Sequence, residues 1–301
     1  MLFPTSNIET EILADDLFDQ KQVCLSVLRL DTLHPVISGN KLFKLFYFLQ
    51  NALGQSSEGI VTFGGTYSNH LAATAYACKE AGLKSAGIIR GERSSSLSHT
   101  LNACIESGMA LKFISRQQYN KKEETVFLEE IKTEYKNFLV VPEGGYHPLG
   151  AAGAALIMDL INADASHICC AVGTATTLSG LLLGVKKEQQ IIGIPVLKNM
   201  HDLQQRIMIL TNKLFNLQQL KIMNDYHFGG YAKKPPQLIE FMNLLYQKYQ
   251  LPTDFVYTGK MMFGIMDSIK KDVFPKGSKI VCIHTGGLQG NSSLPPGTLV
   301  F

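Results

Sequence analysis

The sequence lacks the apolar segments that a membrane or secreted protein needs. No apolar run approaches the roughly 20 residues that are required to span a bilayer. Residues 1–20 contain no apolar core and instead carry the acidic side chains Glu9, Glu11, Asp15, Asp16 and Asp19. An acidic start of this kind is not a secretory signal, so we expect a cytoplasmic protein without a membrane partner.

A strong charge of either sign is also missing. The 301 residues carry a net charge of only +3, and the lysines and arginines are scattered rather than clustered in one segment. Binding to nucleic acid or to a membrane surface depends on a basic patch, so the sequence predicts neither partner.

The cysteines do not follow a metal-binding or disulfide pattern. The chain has six, and none belongs to a Cys-x-x-Cys pair. Cys169 and Cys170 are adjacent on a predicted strand, so their side chains point to opposite faces, which suits neither one metal nor one disulfide. We expect buried, reduced thiols, and we assign no metal to His34, His70 or His284.

Short apolar runs alternate with helical patterns along most of the chain. Strands are predicted at residues 59–63, 86–90, 110–114, 138–141, 168–172, 191–195 and 279–284. Helices are predicted near residues 69–81, 97–107, 123–135, 151–161, 178–187, 202–215, 237–249 and 261–270. This alternation is typical of parallel sheets with helices on both faces, which makes the fold class α/β. The strongest interruption, at residues 142–148, predicts a boundary between two α/β lobes.

Polar loops follow three of the predicted strands, at residues 64–70, 173–177 and 284–287. Ligands of open α/β sheets bind beyond the carboxyl ends of the strands, where loops lead into helix N-termini. We therefore expect these loops to converge on an active site between the two lobes.

Lys41 follows Ser38, Gly39 and Asn40 and opens an apolar segment with a helical pattern. A lysine at a helix start is usually a solvated charge, and Lys44, one turn later, competes for any special role. In a cleft, loss of hydration would make the ammonium group release its proton more easily. The amine of Lys41 could then form a Schiff base with an aldehyde cofactor.

Residues 64–69, Gly-Gly-Thr-Tyr-Ser-Asn, end a strand and precede an alanine-rich helix. The two glycines permit a tight turn. Ser68 or Asn69 is a good helix cap, and a purely structural role is one interpretation. The other is that free amides at this helix start bind the carboxylate of an amino acid, while Asn69 donates to the phenolic oxygen of a cofactor.

Residues 173–177, Gly-Thr-Ala-Thr-Thr, lie between an apolar strand and a helix. Their backbone amides, their three hydroxyls and the helix dipole suit a phosphate monoester. No Gly-Lys-Ser/Thr follows, so this segment is not a Walker loop. Threonine-rich turns also arise as simple helix caps, and that alternative stays open.

Together these segments resemble the 1-aminocyclopropane-1-carboxylate deaminase / D-cysteine desulfhydrase family, which uses pyridoxal phosphate. The likeness covers nearly the whole chain, through residues 34–41, 142–145, 148–150, 256–260 and 284–287. It implies the tryptophan synthase β-like fold, fold type II, with two lobes built on three-layer open parallel sheets. It also implies a homodimer, with a smaller domain at 45–150 and a larger, cofactor-binding domain at 1–44 plus 151–301.

The resemblance assigns roles to four residues near the substrate. Lys41 resembles the Schiff-base lysine of the family. Ser68 matches the active-site serine near the substrate carboxylate, and Asn69 resembles the partner of the cofactor's phenolate. His70 takes the next position and would contribute its backbone amide.

Further assignments concern the cofactor's surroundings. The resemblance implies that its phosphate is bound by a turn of four residues, Thr174, Ala175, Thr176 and Thr177. Tyr231 and Tyr257 resemble the two tyrosines that flank the cofactor and the substrate. Each tyrosine could protonate a leaving group, although tyrosines more often serve as packing residues.

Two positions separate the branches of the family. Members that open the cyclopropane ring resemble one another in carrying Glu at the position of Thr258 and Leu at that of Thr285. Threonine at both positions resembles the desulfhydrase branch. A carboxylate beside the pyridine nitrogen would keep it protonated, whereas a neutral hydroxyl forms no such ion pair and suits β-elimination better. We therefore expect D-cysteine to yield pyruvate, sulfide and ammonia, with Lys41 removing the Cα proton.

Two alternatives remain. One is ring opening of 1-aminocyclopropane-1-carboxylate to 2-oxobutanoate and ammonia. The other is a pseudoenzyme that binds an amino acid or a partner protein, because the chain departs from the family at several positions. It lacks the family's Arg near Phe43 and Ala72 and its Gln at Tyr67, and Ala175 and Thr176 replace common glycines. A positive φ at Ala175 would be strained.

Overall fold

The computed structural model describes residues 8–34, 39–213, 215 and 217–301. Four residues of the predicted lysine segment, Pro35, Val36, Ile37 and Ser38, lie outside these ranges. The described chain forms two β-sheets with helices packed on them, which confirms the predicted α/β class. No described helix is long and apolar enough to cross a membrane.

The strands are short and mostly buried. Those in the described chain are β1 (Thr10–Leu13), β2 (Cys24–Leu28), β3 (Gly59–Gly64), β4 (Lys84–Arg90), β5 (Met109–Ile114), β6 (Phe138–Val141), β7 (His167–Val172), β8 (Gln190–Pro195), β9 (Leu220–Ile222) and β10 (Lys279–Ile283). The strands β3 to β8 and β10 confirm the seven predicted ones. Their ends agree closely, as in the predicted 86–90 against the observed Lys84–Arg90.

The helices alternate with these strands. They are α1 (Asp16–Lys21), α2 (Lys41–Gly54), α3 (Asn69–Glu80), α4 (His99–Glu106), α5 (Arg116–Tyr119), α6 (Thr125–Glu134), α7 (Pro148–Ala155), α8 (Thr176–Gly184), α9 (Leu203–Thr211), α10 (Pro236–Tyr249) and α11 (Thr258–Lys270). All eight predicted helices are confirmed. The predicted 151–161 differs most, because α7 ends at Ala155 and continues as a 3-10 helix at Leu156–Leu160.

The strands divide between a large and a small sheet. The large sheet has the order β1-β2-β10-β7-β8-β9, and the small sheet has the order β5-β4-β3-β6. Within the described ranges, β1 pairs antiparallel with β2 and every other neighbouring pair is parallel. The small sheet comes from one continuous stretch of chain, although the lobe limits at residues 45 and 150 stay a prediction.

Three helices approach one another very closely beside the large sheet. A Cβ at Gly153 of α7 would overlap the carbonyl oxygen of Phe43 in α2. A Cβ at Gly180 of α8 would lie only 2.6 Å from the carbonyl oxygen of Ala151 in α7. Because α2 begins at Lys41 and α8 begins in the predicted phosphate turn, this stack holds two candidate site segments in a fixed relation.

The cysteines follow the prediction with one exception. Cys169 and Cys170 are buried in two different hydrophobic cores, which confirms that their side chains point to opposite faces of β7. Cys24 is exposed at the start of β2, so the expectation of buried thiols is wrong for this residue. Cys24 is the first residue of β2, and at this end of the strand its side chain reaches solvent.

Candidate active site

The loops that follow β3, β7 and β10 converge on one cavity beside the first turn of α2, as expected from the strand pattern. Its wall includes the predicted site residues Lys41, Asn69, Thr174, Ala175, Thr176, Thr177, Tyr257 and Thr285. It also includes Asn40, Lys44 and Gly144. Four other predicted residues, Ser68, His70, Tyr231 and Thr258, lie near this cavity but outside its lining.

The start of α2 is anchored to the loop after β10. Gly39 has φ +90° and packs so closely on Thr285 that a Cβ would overlap the carbonyl oxygen. Asn40 donates its backbone N–H to the same carbonyl over 3.3 Å. The side-chain oxygen of Asn40 accepts a hydrogen bond from Lys41 Nζ over 2.6 Å. These contacts fix the position from which Lys41 enters the cavity.

Burial changes the chemistry of Lys41. Loss of hydration lowers the pKa of its ammonium group to about 8, and the negative charge of Asp254 partly opposes this shift. The neutral amine is therefore far more abundant near neutral pH than it is for a solvated lysine. Nζ also lies 6.0 Å from the ring centre of Tyr257, which closes one side of the cavity.

Lys44, the competing lysine, lies in the same cavity and is buried. Its Nζ is 3.5 Å from the carbonyl oxygen of Gly144. Burial and then repulsion by Lys41 lower the pKa of Lys44 well below its usual value. Burial therefore favours the neutral amine of Lys44, and an anion in the cavity would favour its charged form.

The turn after β7 has the backbone shape of an anion-binding site. Ala175 has φ +69°, so the positive φ that would strain an alanine is present. Oγ1 of Thr174 lies 2.9 Å from Oγ1 of Thr176, and Asn40 Nδ2 donates to Oγ1 of Thr177 over 2.6 Å. The first N–H groups of α8 are not used within the helix, which leaves donors for a phosphate.

The loop after β3 combines a cap with an available amide. Ser68 accepts a hydrogen bond from the N–H of Leu71 over 3.3 Å, which leaves its hydroxyl hydrogen free to donate. Asn69 lines the cavity, and its Oδ1 is buried without a partner among the described residues. His70 is buried with Nε2 2.9 Å from Oγ1 of Thr62, and burial lowers its pKa to about 3.

The two predicted tyrosines are in contact. Their rings meet edge to face, with centres 6.2 Å apart. Tyr257 lines the cavity, and burial together with its neighbour Tyr231 raises its pKa well above the usual value. Tyr231 is 54% exposed, so it lies toward the solvent side of Tyr257.

Thr258 is tied to a carboxylate that the sequence analysis missed. Its hydroxyl donates to Oδ2 of Asp254 over 2.6 Å and accepts from the N–H of Asp254 over 2.8 Å. Asp254 is 1% exposed and also accepts the N–H groups of Val256, Tyr257 and Thr258 over 2.7–2.9 Å. The available signal was a single acidic residue within the otherwise uncharged segment 251–259.

These features fit pyridoxal phosphate, the cofactor that the sequence resemblance implies. Lys41 offers an amine for its aldehyde, and Lys44 lies with the hydroxyls of the turn after β7 on the wall that would face its phosphate. The buried Oδ1 of Asn69 has no partner among the described residues, so this amide has an acceptor open to a donor group of a ligand. The hydroxyl and amide donors and the two lysine amines are of the kind that this cofactor requires.

Known proteins share this sequence and fold. The chain matches the family model described as "Pyridoxal-phosphate dependent enzyme" over residues 9–286. A Pyrococcus abyssi protein named "Putative 1-aminocyclopropane-1-carboxylate deaminase" is 31% identical and aligns over 84% of this chain and 81% of its own length. A D-cysteine desulfhydrase from Klebsiella pneumoniae is 28% identical and aligns over 87% of this chain and 86% of its own length. A crystal structure described as an ACC deaminase homologue has a TM-score of 0.79 and 26% identity, covering 97% of this chain and 92% of that chain.

Proposed function

This chain belongs to the family of pyridoxal-phosphate-dependent enzymes, and from that membership we propose that it removes the β-substituent of a small amino acid. D-cysteine is the leading substrate, with pyruvate, sulfide and ammonia as products. When bound, the cofactor supplies an aldehyde for the substrate amine and a ring that withdraws electrons from Cα. Residues of this chain would bind the phosphate and the substrate carboxylate and would transfer the protons.

The observation that carries the proposal is the position of Lys41 in the cavity. Its amine is buried, and burial lowers its pKa to about 8, which suits both attack on an aldehyde and removal of a Cα proton. We assign both tasks to this residue. The buried Lys44 and the turn Thr174, Ala175, Thr176 and Thr177 would hold the phosphate.

The first turn of α3 would bind the substrate carboxylate. Ser68 retains a hydroxyl hydrogen after capping the helix, and the N–H groups of Asn69 and His70 belong to the first turn, where intrahelical acceptors are missing. Three donors at a helix N-terminus favour an anion. We assign carboxylate recognition to Ser68, Asn69 and His70.

Tyr231 is the proton donor that we assign to the departing sulfur. The ring centre of Tyr257 lies 6.0 Å from Lys41 Nζ, but its raised pKa makes full transfer of its proton harder and favours a role as a hydrogen-bond donor. Tyr231 touches Tyr257 and retains access to solvent, from which a donated proton can be replaced.

The test is the near-visible absorbance of purified protein with bound cofactor before and after addition of D-cysteine, with sulfide assayed in the same sample. We expect a spectral change together with sulfide release, and the sulfide release should disappear in Lys41→Ala. The matched control is Lys132→Ala, because Lys132 is an exposed helical lysine that pairs with Glu129. Sulfide release that persists in Lys41→Ala would contradict the mechanism.

Ring opening of 1-aminocyclopropane-1-carboxylate is the second candidate. Two observations favour it: the 31% identity to the Pyrococcus abyssi protein and the Asp254 carboxylate directly behind Thr258. A carboxylate there could support a protonated ring nitrogen, the effect expected of Glu at the position of Thr258 in ring-opening members. Release of 2-oxobutanoate by the purified protein would favour this reaction over β-elimination.

We also propose a cytoplasmic homodimer. The free thiols of the described cysteines support a reducing compartment. The family resemblance supports the dimer. Light scattering of the purified protein measures its mass, and a value equal to one 33.2 kDa chain would contradict the dimer.

A further inference from the structure

Lys260 is a buried cation that the proposed mechanism does not use. It lies in the first turn of α11 and is 0% exposed. Within the described chain it forms no ion pair, and its Nζ instead donates to the carbonyl oxygens of His227 over 2.9 Å and Gly230 over 2.7 Å. A buried ammonium group without a paired carboxylate is costly, so its position requires a compensating contact.

The segment that Lys260 binds has an unusual backbone. Phe228, Gly229, Gly230 and Ala232 have φ values of +53°, +88°, +119° and +55°. Phe228 and Ala232 are strained in this region, because a Cβ disfavours a positive φ. A loop of this shape persists only if other contacts hold it. The two carbonyl groups bound by Lys260 lie at its start and at its middle.

The loop presents Tyr231, which directly follows Gly230. Its ring packs edge to face on Tyr257, at 6.2 Å between ring centres. Tyr257 and Lys260 are three residues apart, at the start of α11. The same helix end therefore supports one tyrosine directly and the other through the Lys260 ammonium group.

We propose that Lys260 is a positioning residue that fixes the 227–232 loop and thereby sets Tyr231 against Tyr257 at the cavity mouth. The catalytic part of this inference rests on the proposed role of Tyr231 as proton donor. The structural part does not, because it concerns only where the Tyr231 ring lies. Without the ammonium group, the strained loop relaxes and the ring loses its contact with Tyr257.

The test combines a double-mutant cycle with a structural probe. Lys260→Met, Tyr231→Phe and the double variant are assayed as holoenzymes with D-cysteine. We expect Lys260→Met to lower kcat by about tenfold or more when Tyr231 is present and by less than about twofold in the Tyr231→Phe background. Lys270→Met, an exposed lysine on the same helix, is the matched control and should leave kcat unchanged.

The probe is 3-fluorotyrosine at position 231, observed by fluorine NMR without substrate. We expect one sharp line in the parent protein and a shifted or broadened line in Lys260→Met. An unchanged line would overturn the inference, as would an equal loss of kcat in both backgrounds. If Tyr231→Phe retains full activity, the proton-donor role fails while the NMR line still decides the role of Lys260.

A second variant guards against misfolding of Lys260→Met. Gly230→Ala meets only ordinary contacts, with its new Cβ about 3.5 Å from Lys198, but an alanine cannot easily hold φ +119°. This variant should disturb the loop with Lys260 intact and produce the same change in the NMR line. A normal line in Gly230→Ala would overturn the inference, because the loop would then not control Tyr231.

Discussion

The Thr258 hydroxyl donates a hydrogen bond to Oδ2 of Asp254 over 2.6 Å, and the backbone N–H of Asp254 donates one to the same hydroxyl over 2.8 Å. A hydroxyl whose hydrogen is already committed can only accept a hydrogen bond from a third group. The neutral threonine at this position is therefore backed by the carboxyl group of Asp254. Its side-chain type alone does not describe the electrostatics of this position.

Substitution of Asp254 by Asn tests the effect of this charge. Asp254 opposes the burial that lowers the pKa of Lys41, so Asp254→Asn should move that pKa further down, below about 8. Loss of charge-assisted bonds to buried N–H groups should also lower the free energy of unfolding by about 1–3 kcal/mol. Chemical denaturation measures the second effect. Asp272→Asn, at an exposed ion pair with Lys21, should change neither quantity.

The pH dependence of cofactor uptake reports on Lys41 in the parent protein. Covalent uptake needs the neutral amine, which is present above the pKa and absent below it. The rate should therefore rise with pH and level off above about 8, rather than near the ordinary lysine value of 10.5. Absorbance changes of the apoprotein with added pyridoxal phosphate give this rate. A rate that keeps rising toward pH 10.5 would mean that the lysine is solvated.

Glycine at position 175 should stabilise the protein. Ala175 holds φ +69°, a conformation that costs an L-residue about 1–2 kcal/mol. Removal of its buried methyl group costs about 0.8 kcal/mol. Because relief of strain is the larger effect, the free energy of unfolding should rise by a few tenths to about 1 kcal/mol. Thermal unfolding of Ala175→Gly measures the difference.

The control for this substitution is Ala151→Gly, at a buried helical alanine without a positive φ. It should destabilise the protein by about 1 kcal/mol or more, because glycine is unfavourable inside a helix. Equal destabilisation by both substitutions would show that position 175 carries no strain that glycine relieves.

Alanine at position 39 should detach Lys41 from its anchor. A Cβ at Gly39 would overlap the carbonyl oxygen of Thr285, and φ +90° would be strained as well. We expect Gly39→Ala to lose cofactor uptake and to unfold at a lower temperature. Gly54→Ala, at the other end of α2, meets no atom within 4 Å and should unfold no more easily than the parent. Normal cofactor uptake by Gly39→Ala would contradict the anchoring role.

The interior strands β3, β7, β8 and β10 were predictable because they are largely apolar and buried, as expected for parallel strands that are covered on both faces. The short strands β1 and β9 were missed. They have four and three residues and lie at the two edges of the large sheet, where a run is too short to show alternation. β2 was missed as well, although it lies inside the sheet, because Ser26 interrupts a run of only five residues.

Local motifs predicted a role for Lys41, Asn69 and the turn after β7, since each combines unusual residue types within a few positions, and the structure places all of them on one cavity wall. Asn40 belonged to such a motif but received no role. Its bond to Thr177 joins residues 137 positions apart, and no local pattern contains that information. Asp254 was missed for a related reason, because its importance lies in the donors that surround it.

The last strand of the large sheet has a consequence for how the enzyme is made. β10 lies between β2 and β7, although both of its neighbours are synthesised long before it. On the ribosome, the small sheet can assemble as soon as β6 has emerged, since domains generally fold as units during synthesis. The large sheet lacks the strand between β2 and β7 until residues 279–285 leave the exit tunnel. Only then can Thr285 meet Gly39, so the contact that anchors the start of α2 forms after β2 and β7 have been synthesised.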